Sequence, residues 1–181
     1  MSYKGVILRK SISISKIYSI HYFEYMSNFS FEGETHDFWE FICVDKGEVN
    51  VTAGNETTVL KRGDIAFHQP NEFHSVQATG KIAPNLVVIS FHCEDEAMTF
   101  FREKTLKIDE TERNILASII IEARRCFDCR LDDPYLQNMP RKEPDMFGAE
   151  QLICLYLEQL LIHLIRRYSN PLALPREIAK T

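Results

Sequence analysis

Short runs of apolar residues, many of them alternating with polar residues, fill the chain from Ser11 to about Cys93 and are separated by turn-forming residues. Val, Ile, Thr, Tyr and Phe are frequent in these runs, as they are in β-strands. Gly54 and Asn55 stand between two runs and predict a tight hairpin, because glycine readily adopts the positive φ that such a turn requires. A succession of short strands predicts a sandwich or a barrel. The predicted strands are Ile12–Tyr25, His36–Val44, Glu48–Ala53, Glu56–Leu60, Asp64–His68, His74–Ala78 and Leu86–Phe91.

The spacing of apolar residues becomes helical after Cys93. Asp109 and Glu112 have the spacing of a capping box, and the apolar residues that follow predict a helix from about Asp109 to Arg125. A polar connector that contains prolines leads to a second predicted helix, Phe147 to Tyr168. Its apolar residues cover more than one stripe, which is typical either of a helix buried between the barrel and the first helix or of a helix that also forms an interface. We expect a dimer contact through Leu157, Leu160, Leu161 and Leu164.

Composition and charge limit the class of protein. The chain has 181 residues, with 21 Lys and Arg against 26 Asp and Glu, for a formal net charge of −5. It lacks the cationic surplus that binding to nucleic-acid phosphates requires, so we expect no direct DNA contact from this chain. No segment has the roughly 18 to 20 consecutive apolar residues that a membrane helix needs. The five cysteines are an odd number, which favours free thiols in a reducing cytoplasm. We therefore expect a cytoplasmic protein, and the lack of a long apolar segment predicts no membrane contact.

A histidine and a glutamate share a strand face with apolar residues. Because side chains alternate along a strand, four residues of the second predicted strand are expected on one face: His36, Phe38, Glu40 and Ile42. His74 begins a later strand and is expected to converge on them. Burying such polar groups is costly unless they pair, bind a ligand or hold a metal. The sequence therefore predicts a polar patch in an apolar cavity, which is typical of a small-molecule pocket.

These residues resemble the two motifs of the cupin family. The first motif has His-x-His, three or four residues, Glu, six residues and Gly, and Glu34–Gly47 matches it with Glu34 in place of the first His. The second has Gly, five residues, Pro-x-Gly, two residues and His, and Gly63–His74 keeps its spacing with Gln69 and Asn71 in place of Pro and Gly. Together with the helical pattern, the resemblance implies a mainly β fold with C-terminal α: a double-stranded β-helix, or jelly-roll, barrel followed by two packed helices.

More narrowly, the runs HDFWEFICVDKGEV (residues 36–49) and LKRGDIAFHQPNEFHSV (residues 60–76) resemble the barrel of AraC-type transcriptional regulators. The helical half resembles the helix pair of the same family, so the resemblance covers about residues 10–170. It implies a barrel with an N-terminal arm (residues 1–93) that binds a small polar effector, such as a sugar, and a helical subregion (94–170) that forms a homodimer. Residues 171–181 are then a linker towards a helix-turn-helix domain outside this chain, through which DNA would be contacted.

The resemblance implies a binding module without a cofactor rather than an enzyme. Residues expected to contact the effector are His36, Phe38, Glu40 and His74, with His21 and Phe23 of the first strand closing over it. The alternative is a stand-alone cupin metalloprotein or enzyme, of dioxygenase or isomerase type, that uses a divalent transition metal. Imidazoles and carboxylates suit Mn, Fe, Ni or Zn, and the ligands would be Glu34, His36, Glu40 and His74.

Overall fold

The computed structural model describes residues 1–24 and 27–169. These residues contain nine β-strands and two α-helices. The strands are β1 (Lys16–Phe23), β2 (Ser30–Glu34), β3 (Trp39–Lys46), β4 (Glu48–Ala53), β5 (Glu56–Lys61), β6 (Asp64–His68), β7 (His74–Ala78), β8 (Asn85–His92) and β9 (Thr105–Lys107). A 3₁₀ helix covers Glu96–Phe101, and the α-helices are α1 (Glu110–Cys126) and α2 (Ala149–Ser169).

The strands form two antiparallel sheets, one in the order β1-β8-β3-β6-β9 and the other in the order β2-β7-β4-β5. From β1 to β8 the chain passes from one sheet to the other at every step except the β4–β5 hairpin, which turns at Gly54 as predicted. Eight strands connected in this way are a jelly roll of two Greek keys. The predicted fold, a jelly-roll barrel followed by two helices, is confirmed.

Three predicted strands, now β4, β6 and β7, have the expected bounds, whereas two short strands were not predicted. β2 is five residues long and contains a glycine, and β9 is three residues long, so neither has a clear alternating pattern. β9 pairs with β6, and the barrel sheet therefore continues beyond residue 93. β3 begins at Trp39, so His36 precedes the strand on which it was expected. Tyr25, the end of the first predicted strand, and the predicted linker 171–181 lie outside the described residues.

Two cores share the five-stranded sheet. Along β3, Trp39, Phe41 and Cys43 face the core beneath the helices. Ile42 and Val44 face the barrel interior, and Glu40 alternates onto that same side. β8 is buried on both faces, as its nearly continuous apolar run suggests. The five-stranded sheet therefore closes the barrel interior on the side of the helices. A polar group inside the barrel needs hydrogen-bond or charged partners among the lining residues.

The helices pack on each other and on the outer face of the five-stranded sheet. α1 begins with the predicted capping box, in which the Asp109 side chain accepts from the Glu112 N–H at 2.8 Å and the Glu112 side chain accepts from the Asp109 N–H at 2.9 Å. The α2 side chains expected to form a dimer contact are instead fully buried in this core, because α1 and the sheet cover them: Leu157, Leu160, Leu161 and Leu164. Among residues 1–24 and 27–169, no helix combines the length and apolar character that crossing a bilayer requires.

Candidate functional site

Residues from both sheets meet inside the barrel. Glu40 projects from β3, His74 begins β7, and Glu34 ends β2 directly opposite His74. His36 lies in the loop between β2 and β3, where a hydrogen bond from the Asn71 N–H to its carbonyl oxygen, 2.7 Å long, fixes the backbone. Asn71 has a φ of 68°, so it adopts the left-handed conformation that glycine has at this place in the cupin motif.

A bulge in β2 turns Glu34 towards the barrel. The pairing of β2 with β7 shifts between Phe31 and Glu34, and both side chains line one cavity although their odd spacing would put them on opposite faces of a regular strand. Gly33 makes the bend with a φ of 114°. A Cβ at this position would overlap the ring of Phe73 and lie 2.8 Å from the His74 carbonyl oxygen, so the bulge requires glycine.

The four side chains form one compact cluster, which we call the barrel cluster: Glu34, His36, Glu40 and His74. Nε2 of His36 lies 3.4 Å from Glu40 Oε2 and 3.7 Å from Glu34 Oε1. Nε2 of His74 lies 3.3 Å from Glu40 Oε1 and 3.8 Å from Glu34 Oε1. One donor atom from each residue lies within 4.8 Å of all the others. The convergence expected from the motif spacing is therefore present.

Backbone carbonyls fix the orientation of both imidazoles. The Nδ1–H of His36 donates to the Phe38 carbonyl oxygen at 3.0 Å, and that of His74 donates to the Glu72 carbonyl oxygen at 3.0 Å. Both Nε2 atoms therefore face the carboxylates, but neither makes a hydrogen bond of full geometry within the described residues. A carbonyl on the second ring nitrogen is the usual way in which proteins orient a metal-binding histidine.

Charge coupling inside the cluster is strong. Burial alone would raise the pKa of Glu40, but its interactions with His36 and His74 outweigh burial and lower the pKa well below its usual range. Burial alone would lower the pKa of His74, but the carboxylates of Glu34 and Glu40 outweigh it and raise the pKa to about 10. A second support for the Glu40 carboxylate comes from the Ser90 hydroxyl, which donates to Oε2 at 2.9 Å. In this state Glu40 is an anion and His74 a cation.

The donor set of the barrel cluster fits a divalent transition-metal ion. Bonds of roughly 2.0 to 2.2 Å to a central ion place neighbouring donor atoms roughly 3 to 3.5 Å apart, and the Nε2 to carboxylate distances are 3.3 to 3.8 Å. The buried Nε2 atoms without hydrogen-bond partners are the observation that favours this fit. Glu34 replaces a histidine of the cupin motif and supplies a carboxylate, so the number of donors is retained while their type changes.

A cavity of about 350 Å³ adjoins the cluster. Both sheets contribute to its walls, and so does the connector between α1 and α2, which is tied to β1 by a 3.0 Å hydrogen bond from the Tyr22 N–H to the Leu131 carbonyl oxygen. The volume lies in the range of small-molecule sites, roughly 300 to 1,000 Å³. The lining residues are Tyr18, Ser19, His21, Phe23, Phe29, Phe31, Glu34, Phe38, Glu40, Val76, Leu86, Val88, Ser90, Pro134, Tyr135, Leu136 and Gln137.

The predicted ligand-contacting residues are divided between cavity and cluster. His21, Phe23, Phe38 and Glu40 line the cavity, whereas His36 and His74 belong to the cluster beside it. The sequence did not identify Phe29 and Phe31, because β2 was not predicted, nor the connector residues, which are distant along the chain. Ser90 could have been found, since it is the single polar residue in the predicted strand Leu86–Phe91.

Comparison with known proteins identifies a family. A family model described as AraC-like ligand binding domain matches residues 16–142. No curated protein sequence matches the chain.

Several solved structures are similar in part. A predicted oxalate decarboxylase from Thermotoga maritima has 21% identity and a TM-score of 0.35, with 36% of this chain and 57% of that chain covered. The cupin domain of Schizosaccharomyces pombe Cnp3 has 15% identity and a TM-score of 0.36, with 40% and 50% covered. A cupin protein from Bacteroides fragilis has 18% identity and a TM-score of 0.35, with 40% and 62% covered. Each match thus spans less than two thirds of the solved chain.

Proposed function

The chain belongs to the family of AraC-like ligand binding domains, and on this premise we propose that it is the effector-sensing domain of a transcriptional regulator. A small organic effector binds in the cavity beside Glu40, and a DNA-binding domain outside this chain responds. The observation that carries the proposal is the cavity itself, which combines a pair of carboxylates, Glu34 and Glu40, with walls that are otherwise largely apolar.

The connector between α1 and α2 provides a route from the pocket to the helices. Pro134 to Gln137 border the cavity, so an occupant touches the segment that joins the two helices. An effector shifts an equilibrium only when it binds two arrangements with different affinity. In this proposal the connector adopts a second conformation when the cavity is empty. An effector that contacts the connector then binds the two conformations with different affinity.

The test is a thermal-unfolding screen of a metabolite collection. Compounds that bind the folded domain raise its unfolding midpoint. Val76→Phe fills the cavity from β7 and is expected to abolish these shifts, while Val59→Phe, at a position on β5 that is 46% exposed and outside the cavity, is expected to leave them unchanged. Shifts that persist in Val76→Phe would place the binding site elsewhere and overturn the proposal.

We also propose that the domain forms a homodimer through α2. The contact surface consists of exposed residues of that helix and not of the four buried leucines. Leu152 and Leu155 are 36% and 50% exposed, and with Gln159, Ile162 and Arg166 they follow the three-and-four spacing of a coiled-coil seam along α2. Leu155→Glu is expected to convert a dimer into a monomer in light scattering. Ile121→Glu, a similarly exposed position on α1, is the control. An unchanged dimer mass in Leu155→Glu would exclude this surface.

A second candidate function, a cupin-type metalloprotein, is favoured by the unpartnered Nε2 atoms of His36 and His74. In that case the barrel cluster holds a divalent ion, which would supply Lewis-acid chemistry next to the cavity. Titration calorimetry with Zn²⁺ and Mn²⁺ on chelator-treated protein tests it. One ion per chain, lost in His74→Ala and retained in His92→Ala, supports the metalloprotein. Binding that is absent or unaffected by His74→Ala contradicts it.

A further inference from the structure

The buried polar groups that line the cavity offer hydrogen-bond acceptors. Ser90 donates its hydroxyl proton to Glu40, and the Ser19 hydroxyl, 2.8 Å from Ser90 Oγ, can then only donate to Ser90. Both serine protons are thus used within the wall. His21 is 8% exposed and lines the cavity, and its Nδ1 makes no hydrogen bond to any described residue. The free capacity of these four residues therefore consists of carboxylate oxygens, hydroxyl lone pairs and an imidazole nitrogen.

The charge of the lining is negative. Glu34 and Glu40 both line the cavity, and within the described part of the chain neither lysine nor arginine is among the lining residues. Burial lowers the pKa of His21, which favours the neutral imidazole, and a neutral imidazole can accept a hydrogen bond from a ligand donor. The cation His74, behind the cavity wall, balances one of these two carboxylates. An anionic ligand would therefore meet an excess of negative charge, whereas a cationic ligand would pair with the second carboxylate.

The remaining wall is rich in aromatic rings. Ring faces carry negative electrostatic potential and attract ammonium groups, and they also cover apolar ligand surface. A sugar, the example expected from the sequence, carries hydroxyl groups around its whole ring edge, and those that face phenyl rings would lack hydrogen-bond partners. The aromatic lining residues are Tyr18, Phe23, Phe29, Phe31, Phe38 and Tyr135.

We propose that the effector is an organic amine, with an ammonium group held by Glu34, Glu40 and His21 and an apolar, preferably aromatic, body against the phenyl rings. This inference rests on the proposed function, because it names the chemical class that the barrel pocket binds. An ammonium group has three donors and no acceptor, and so complements a wall of acceptors. A divalent ion on the barrel cluster would use the same carboxylates, and amine and metal are therefore expected to compete.

The experiment is titration calorimetry of chelator-treated protein with three probes that share one body: 2-phenylethylamine, 2-phenylethanol and 3-phenylpropanoate. We expect the amine to bind at least about tenfold more tightly than the other two, since a charge-assisted contact is worth on the order of one factor of ten or more. Glu34→Gln is expected to weaken the amine about tenfold and to leave the alcohol unchanged. Glu32→Gln makes the same charge change on β2 at an exposed position outside the cavity, and is expected to alter neither.

The possible outcomes distinguish the assignment of an amine effector from the proposed effector-sensing function. If the alcohol or the carboxylate binds as tightly as the amine, and Val76→Phe abolishes that binding, the amine assignment is wrong while the pocket remains an effector site. If amines bind but Glu34→Gln has no effect, the assignment of the head group to the carboxylates is overturned. If a panel of aryl and alkyl amines gives no binding, the amine class is excluded.

Discussion

Two buried glutamates, Glu40 in the barrel and Glu112 at the junction of α1 and α2, have histidine neighbours but differ in how fully they are hydrogen-bonded. Glu112 accepts from Arg167 at 2.8 and 3.0 Å, from His163 at 2.6 Å and from the Asp109 N–H. Glu40 accepts from Ser90, while the Nε2 atoms of His36 and His74 lie 3.4 and 3.3 Å from it without a hydrogen bond of full geometry among the described residues. Asp109, Glu112 and His163 also have the spacing of a metal site, but Arg167 already occupies it.

This difference in hydrogen bonding is the one expected between a structural cluster and a cluster that binds a ligand. A carboxylate that is saturated by protein donors has no capacity for a ligand, whereas buried groups with unfilled hydrogen bonds are stabilised when a ligand binds. The charges differ too, because arginine cannot lose its proton in a protein and histidine can. Removing the Glu112 charge therefore leaves Arg167 charged with only the more distant Asp109 carboxylate, while the barrel cluster can release a proton instead.

The largest effect is expected from Glu112→Gln. Since Arg167 loses its nearer carboxylate and keeps only Asp109, 3.5 Å away, and since His163 loses its acceptor, the free energy of unfolding at pH 7 should fall by about 3 kcal/mol, measured by urea denaturation. Burial would raise the pKa of Glu112, but Arg167, the Asp109 N–H and His163 outweigh it and lower the pKa. Stability from a lowered pKa is present above the unfolded value of 4.5 and is lost as the pH falls through the folded value.

The difference in unfolding free energy between the wild type and Glu112→Gln should therefore become smaller at acid pH. Glu110→Gln, at an exposed position in the same helical turn, is the control and should change stability little. If Glu112→Gln lowers the unfolding free energy no more than this control does, then Glu112 does not have the structural role that we assign to it.

Gly33→Ala tests the bulge that brings Glu34 to the barrel cluster. Positive φ and overlap with Phe73 should together cost about 2 kcal/mol in unfolding free energy. Gly63→Ala is the matched control, because Gly63 has a φ of 89° but a Cβ there would meet nothing within 4 Å. Only Gly33→Ala should also weaken ligand or metal binding. Equal effects of the two variants on binding would show that the bulge does not position Glu34.

The sequence predicted the parts of this comparison that depend on local spacing. The Asp109–Glu112 capping box, and the strands that carry Glu40 and His74, followed from periodicity and motif spacing. The other two partners that saturate Glu112 did not, because Arg167 and His163 are about fifty residues away and reach it only through helix packing. The same holds for the serines and connector residues around Glu40, and for the four leucines of α2, whose burial depends on what covers them.

His74 gives the barrel cluster its own pH dependence. Its pKa is raised from 6.5 to about 10, so its contribution to stability is complete below about 6.5 and is lost as the pH rises through about 10. In metal-free protein, the unfolding free energy of the wild type should decline by about 1 kcal/mol or more from pH 7 to pH 10 relative to His74→Gln. Parallel pH curves for the two proteins would mean that His74 is neutral in the fold, and the charge coupling with Glu40 would be absent.

The smallest effect, with the opposite sign, is expected from His68→Phe. His68 is 1% exposed and stacks on His74 with ring centroids 4.5 Å apart. Within the described part of the chain neither of its nitrogens makes a hydrogen bond of full geometry, and Nδ1 lies 3.5 Å from Glu72 Oε1. Phenylalanine keeps the stacking and removes the unsatisfied atoms, so the unfolding free energy should rise by up to about 1 kcal/mol. His163→Phe, which removes a partner of Glu112, should lower it. If both substitutions destabilise the protein equally, then solvent or a ligand already satisfies His68, and unfilled hydrogen bonds no longer distinguish the barrel cluster from the helix junction.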